Sequence, residues 1–166
     1  SVATDSIAIN MVISGDGNTA FVADYEGGLQ IVDISDASEP AVLSTLNTDG
    51  LAFDVALSSD SNTVYLADEA NGLQIIDVSD RSNPGYIGNF LTEGYAIGIE
   101  LSSDGSIAYV ADVSSSQIID VSNAQSPNLL GSFATSGTAY NVTLSTDEST
   151  AFVAVNAAGL DIVDIT

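Results

Sequence analysis

Two carboxylates placed among small and apolar residues, Asp54 and Glu100, are the side chains best suited to proton-transfer chemistry. A spaced pair of acids can divide the work of donor and base at a glycosidic bond. Asn10 and Asn141 stand at the repeat positions aligned with Asp54, so these four residues are expected to line a polar, watered channel. Catalysis is the weaker reading, because Asp54 and Glu100 occupy different places in the repeat and nothing in the pattern activates either one.

A second set, Asp24, Glu26, Asp68, Glu69 and Asp112, follows the second β-type run of successive repeats and is expected to share a face with Asp5, Asp49 and Glu93. Hard cations such as Ca²⁺ take about six to eight oxygen ligands, which clustered carboxylates and loop carbonyls can supply. There is no Asp-x-Asp-x-Asp-Gly loop, so a calcium reading rests on clustering alone and competes with a simply solvated acidic surface. Asp33, Asp77, Asp120 and Asp164 recur in every repeat just ahead of a turn. An Asp there ordinarily accepts nearby backbone amides and fixes the loop, so these four are read as structural carboxylates. Tyr25, Tyr86, Tyr95 and Tyr140 could act as stacking platforms for sugars, and core or edge packing is the simpler expectation for most of them.

Composition removes whole classes of function. The chain has no Cys and no His, which excludes zinc fingers, thiol nucleophiles, imidazole bases and haem or iron–sulfur ligation. Its formal charge of −22, with Arg81 the one basic side chain, repels polyanions and disfavours nucleic acid and anionic membrane as partners. No apolar run reaches the roughly 20 residues of a membrane-spanning helix, and no basic-then-apolar leader opens the sequence, so membrane insertion is not expected. A hydrophobic fraction of 45% is enough to build a core and argues against disorder. The absence of Lys, with Arg81 the single cation, points to a saline or extracellular setting, where salt or divalent ions screen self-repulsion.

The elements that must carry these residues repeat. Thr4, Thr48, Thr92 and Thr135 open four copies of one unit, spaced 44, 44 and 43 residues apart, with repeats at 4–47, 48–91, 92–134 and 135–166. Such a period marks units that cover their apolar faces only against neighbours. Each unit holds short β-type runs. The first, at 8–13, 52–57, 96–101 and 139–144, alternates large apolar with small or polar residues, which suits a crowded inner strand. The second carries one aromatic at a fixed place, Phe21, Tyr65, Tyr109 and Phe152. The third, exemplified by Leu29-Gln30-Ile31-Val32-Asp33, is apolar on both parities and should be buried on both faces. The fourth follows Pro40, Pro84 or Pro127, as an outer edge strand can. Four antiparallel strands with two apolar faces describe a β-propeller blade, so the expected fold is an all-β propeller of 1–166 with an incomplete last blade.

Leu29-Gln30-Ile31-Val32-Asp33, Leu73-Gln74-Ile75-Ile76-Asp77 and Leu160-Asp161-Ile162-Val163-Asp164 resemble the signature of the LVIVD-repeat family over essentially the whole chain. The resemblance implies a β-propeller from a bacterial or archaeal cell-surface protein and brings no catalytic residues with it. The third copy departs from the pattern, with Ser116 at the Leu position. The fourth copy stops at Thr166, which aligns with Ser35, while residues 1–4 align with 45–48. Three explanations fit: a portion of a longer propeller, closure by residues 1–3 as an outer strand, or completion by another copy. The expected function is therefore a non-enzymatic extracellular or cell-surface module whose acidic face meets protein, glycan or cation partners. The alternatives are a self-assembling subunit of a surface ring or filament, and a hydrolase or lyase using the channel carboxylates.

Overall fold

The structure, a computed structural model, describes residues 1–113 and 115–166. Its first sheet holds β1 (Asn10–Ile13), β2 (Thr19–Ala23), β3 (Leu29–Asp33) and β4 (Ala41–Leu46). The second holds β5 (Asp54–Leu57), β6 (Thr63–Ala67), β7 (Leu73–Asp77) and β8 (Gly85–Phe90). The third holds β9 (Ala96–Leu101), β10 (Ile107–Asp112), β11 (Ser115–Asp120) and β12 (Asn128–Ala134). The last holds only β13 (Ala139–Leu144), β14 (Thr150–Val155) and β15 (Gly159–Asp164). Strands follow chain order in every sheet and pair antiparallel, so each repeat is a meander.

Local chemistry sets these boundaries. The first hairpin turns on Ser14, whose hydroxyl and whose backbone both close the loop: Ser14 N donates to Thr19 O at 2.8 Å, and Thr19 N donates to Ser14 Oγ at 3.0 Å. Asp16 accepts from Ser14 Oγ and Asn18 N, and the Ser–Asp pairs Ser58–Asp60, Ser102–Asp104 and Ser145–Asp147 repeat the arrangement. Between third and fourth strands the register slips at Ile31/Val32, Ile75/Ile76 and Ile118/Ile119, a bulge that twists each outer edge. In the first two sheets the inner strand starts two residues later than the sequence pattern suggests. Ala52, just ahead of β5, exchanges backbone hydrogen bonds with Tyr25 of the preceding blade, and Ala96, the first residue of β9, does the same with Glu69. Tyr25 (φ 48°) and Glu69 (φ 47°) adopt left-handed backbone to make these stitches.

The sheets stack face to face, with β1, β5, β9 and β13 packed in succession around the inside of the arc. At Gly98 the backbones come so close that a Cβ would lie 2.7 Å from the Tyr140 carbonyl oxygen, which calls for glycine at that point of the third blade. Three apolar cores fill the junctions. The first joins Phe21, Leu29 and Ile31 to Val55, Val64 and Ile76; the second joins Tyr65 and Ile75 to Ile99 and Val110; the third joins Tyr109 and Ala111 to Val142 and Val153. Arg81 closes the first junction, its guanidinium 5.0 Å from the centre of the Phe21 ring, donating to Val78 O and, at 2.7 Å, to Ser61 O.

The arrangement is the radial stack that the repeat predicts, with the last blade incomplete as expected, and one of the three explanations for the open ends is not seen. Residues 1–3 do not form an outer strand on the last sheet; Val2 instead packs on Ala20, Val22 and Val32 of the first. The third strands are buried on both faces in the two leading sheets, whereas β15, with no sheet beyond it, alternates between exposed and half-buried residues.

Candidate functional site

Inner strands of all four blades contribute to one cleft of about 420 Å³, which brings Asn10, Asp54, Glu100 and Asn141 together. Asp54 is buried at its back. Its Oδ1 accepts from Asn10 Nδ2 at 2.6 Å and from Val55 N at 2.8 Å, and its Oδ2 accepts from Ile99 N at 2.9 Å. Burial raises the Asp54 pKa above the ordinary Asp value, and the three hydrogen bonds pull against that shift. Glu100 is raised as well, by burial first and by the nearby Asp54 charge second. Both groups therefore hold protons more tightly than free carboxylates do. Asp54, however, is spent as an acceptor that ties three adjacent inner strands together, which leaves it little freedom to serve a substrate.

The acidic set read as a calcium cluster does not assemble. Asp24, Asp68 and Asp112 sit at equivalent places in three separate blades, each fully buried and engaged locally. Asp24 accepts from Thr4 Oγ1 at 2.6 Å and Ser6 N at 2.7 Å; Asp68 accepts from Thr48 Oγ1 at 2.6 Å and Asn71 Nδ2 at 3.3 Å; Asp112 accepts from Gly94 N at 2.6 Å and Gln117 Nε2 at 3.3 Å. Burial raises the Asp68 pKa against the pull of its donors. Glu26 is exposed, and Glu69 is fixed in its left-handed stitch to Ala96. Among the described residues no three carboxylates converge as a metal site would require. These aspartates clasp the incoming loop of a blade to the end of its second strand.

The turn aspartates lie at the opposite ends of the strands. Asp33, Asp77, Asp120 and Asp164 accept the amide two residues on, from Ser35, Ser79, Ser122 and Thr166, at 2.8–3.0 Å. Hydrogen bonds to those same residues hold all four below the ordinary Asp value.

One feature has no counterpart in the sequence pattern. In the first blade Gln30 bonds Asp5 at 3.0 Å and accepts from Thr45 at 2.9 Å, a closed polar set. In the second blade the aligned Gln74 turns away to donate to Asn71 O at 2.7 Å, and a rim groove of about 610 Å³ opens among Asn47, Asp49, Asn71, Tyr86 and Asn89. Asn71 in place of Gly27, and Asn89 in place of Thr45, were the available signals. Tyr86, Tyr95 and Tyr140 are half exposed, whereas Tyr25 packs edge-on against Phe53 with ring centres 5.6 Å apart.

A family model described as the LVIVD repeat matches four consecutive stretches, 7–48, 49–92, 93–135 and 136–166. No curated protein matches the chain. Among solved structures, the chain is similar to hydrazine synthase of Kuenenia stuttgartiensis, with 22% identity, a TM-score of 0.80, and coverage of 99% of this chain and 48% of that one. It is also similar to a putative 6-phosphogluconolactonase from Bacteroides uniformis, with 17% identity, a TM-score of 0.81, and coverage of 94% and 50%. A third is the Cps50 (Swd1) beta-propeller domain of Myceliophteria thermophila, with 11% identity, a TM-score of 0.77, and coverage of 94% and 52%. The chain spans about half the length of each, and identities this low speak to fold alone.

Proposed function

The chain belongs to the LVIVD repeat family, and from that premise we propose that it is a non-enzymatic interaction module of an extracellular or cell-surface propeller, with the polar rim groove of the second blade as its contact site for protein or glycan. The observation that carries this reading is the contrast between two clefts. The channel carboxylate Asp54 is committed to three structural hydrogen bonds, whereas the rim groove presents amides, Asp49 and the half-exposed Tyr86 ring to solvent. Amides and a tyrosine face suit hydroxyl-rich or peptide ligands, and the charge of −22 favours partners that are neutral or basic. A surface so poor in cations is also consistent with a salt-rich milieu outside the cell.

The test compares wild type with a chain carrying both Tyr86→Ala and Asn89→Ala on a glycan array and on a panel of purified neutral and basic surface proteins. Binding by wild type that the double variant loses supports the reading. The competing hydrolase or lyase reading is tested in parallel with Asp54→Asn combined with Glu100→Gln: turnover of a glycoside or lyase substrate panel by wild type that this variant abolishes would overturn a non-enzymatic role.

A further inference from the structure

The hydrogen-bonding capacity of the rim groove differs from that of the same place in the first blade, where the polar groups satisfy one another. Gln30 Nε2 donates to Asp5 Oδ2 at 3.0 Å, and Thr45 Oγ1 donates to Gln30 Oε1 at 2.9 Å while standing 3.4 Å from Asp5 Oδ2. Asp49, Gln74 and Asn89 hold the aligned positions in the second blade, and none of these bonds forms there. Gln74 gives its Nε2 to the Asn71 carbonyl at 2.7 Å instead. A carbonyl oxygen only accepts, so this bond fixes the orientation of the amide. It leaves Gln74 Oε1 without a donor among the described residues, on a groove-lining side chain that is only 9% exposed. The Asp49 carboxylate likewise receives no hydrogen bond from the described residues.

The groove is therefore supplied with acceptors and short of donors. Its charge is also unbalanced. The Tyr86 phenol is held above its ordinary value by burial first, then by the charges of Asp68 and Asp49, which both look onto this ring. The chain has no cation to set against them, because Arg81 is held over Phe21 by Val78 O and Ser61 O. Apolar surface lies beside the acceptors. Tyr86 stands where the first blade has Val42, with its side chain 52% exposed, and Leu91, 66% exposed, borders the same groove. The second blade is flanked by the first and the third, so the walls of this groove are set by packed neighbours on both sides.

We propose that the groove receives an arginine side chain of a partner protein, with its guanidinium on Asp49 and Gln74 Oε1 and its stem against Tyr86 and Leu91. This deepens the rim-groove function above and rests on it. A guanidinium carries N–H donors in a planar fork and no acceptor, which matches open acceptors that include a carboxylate. Its flat face is attracted to a tyrosine ring, and its methylene stem covers apolar surface while the charged head stays among polar groups. An ammonium is a compact, strongly hydrated point charge with no face to stack. A sugar hydroxyl brings acceptor lone pairs with its one donor, so it fits this set less well. The charge of −22 draws basic segments toward the surface before contact.

The experiment is an NMR titration of the full ¹⁵N-labelled chain, followed through the side-chain amide signals of Gln74, Asn71 and Asn89. The probes are acetyl-Gly-Arg-Gly-amide, the same peptide with citrulline or lysine in place of arginine, and a neutral methyl glycoside. Citrulline keeps the shape of arginine and removes its charge. The arginine peptide is expected to shift these signals saturably, and each of the other probes to bind about tenfold or more weakly, the scale of one charge-assisted hydrogen-bonded contact. Asp49→Asn, at an exposed position, should lower the affinity for the arginine peptide by a similar factor, with its own spectrum reporting that the sheets are intact. Equal binding of the citrulline, lysine or glycoside probe, or an Asp49→Asn chain that binds the arginine peptide like wild type, overturns the guanidinium assignment and leaves the groove as a contact site. Silence of the groove amides to every probe also overturns the assignment; the rim-groove function itself falls only if the Tyr86→Ala and Asn89→Ala chain keeps the binding of wild type.

Discussion

The Thr48 hydroxyl donates to Oδ1 of Asp68 at 2.6 Å, and both residues are buried. Through this one bond the chain leaving the first blade is fastened to the second strand of the next, 20 residues on. Thr4 and Asp24 form the same clasp at the exposed start of the arc.

Replacing Thr48 with Val keeps the side-chain shape and removes a donor from a buried carboxylate. The expected loss of stability is about 1–3 kcal/mol, since a buried acceptor without its partner keeps its desolvation cost. Urea unfolding measures it. Thr4→Val, at a half-buried position, should cost less, and equal midpoints for wild type and Thr48→Val would show that the clasp contributes nothing.

Acid response has two opposed parts. Asp54, Asp68 and Glu100 have folded pKa values raised by burial, so in the range above ordinary carboxylate values the folded state binds protons that the unfolded chain does not. Stability therefore rises as pH falls from neutral toward that range. The turn carboxylates run the other way. Asp33, Asp77, Asp120 and Asp164 are held low, and Asp104 is lowered to about 2 by hydrogen bonds from Ser106 and Ser102, so below the ordinary 3.8 the unfolded chain takes protons first and stability falls. Melting temperature against pH should pass through a maximum near pH 4–5, on the order of the unperturbed carboxylate values. In a chain carrying Asp54→Asn and Glu100→Gln the rise on the neutral side should be shallower; an unchanged slope would assign it to general charge repulsion instead.

Ser116 stands fully buried where the first two blades place Leu29 and Leu73, and its hydroxyl has no hydrogen-bond partner among the described residues. Ser116→Ala removes an unmatched polar group without adding volume, so it should stabilise the chain by about 1 kcal/mol and raise the melting temperature by roughly 2–4 °C. A lower melting temperature in differential scanning calorimetry would show that the hydroxyl has a structural role after all.

Much of the architecture could be read from residues close together in sequence. The Ser–Asp hairpins, the two-sided apolar third strands and the missing last strand each follow from short-range pattern, because the chemistry that fixes them acts within a few residues. What escaped was set at longer range. Asp24 and Asp68 look like candidates for a cation when only their own loops are considered, and their hydroxyl partners lie 20 residues earlier. The rim groove depends on which way Gln74 turns, a choice between Asn71 and Asp49 that no spacing encodes. Arg81 gave no sign of its position over Phe21, since that contact crosses a blade junction.

That last placement gives the protein a built-in gauge of opening. Arg81 is the sole side chain after which trypsin can cut, and its guanidinium is held by two carbonyls and an aromatic face from the neighbouring sheet. Proteolysis at this bond requires the Arg81 side chain and its loop to leave these partners, so the rate of that single cleavage follows how often this loop opens under native conditions.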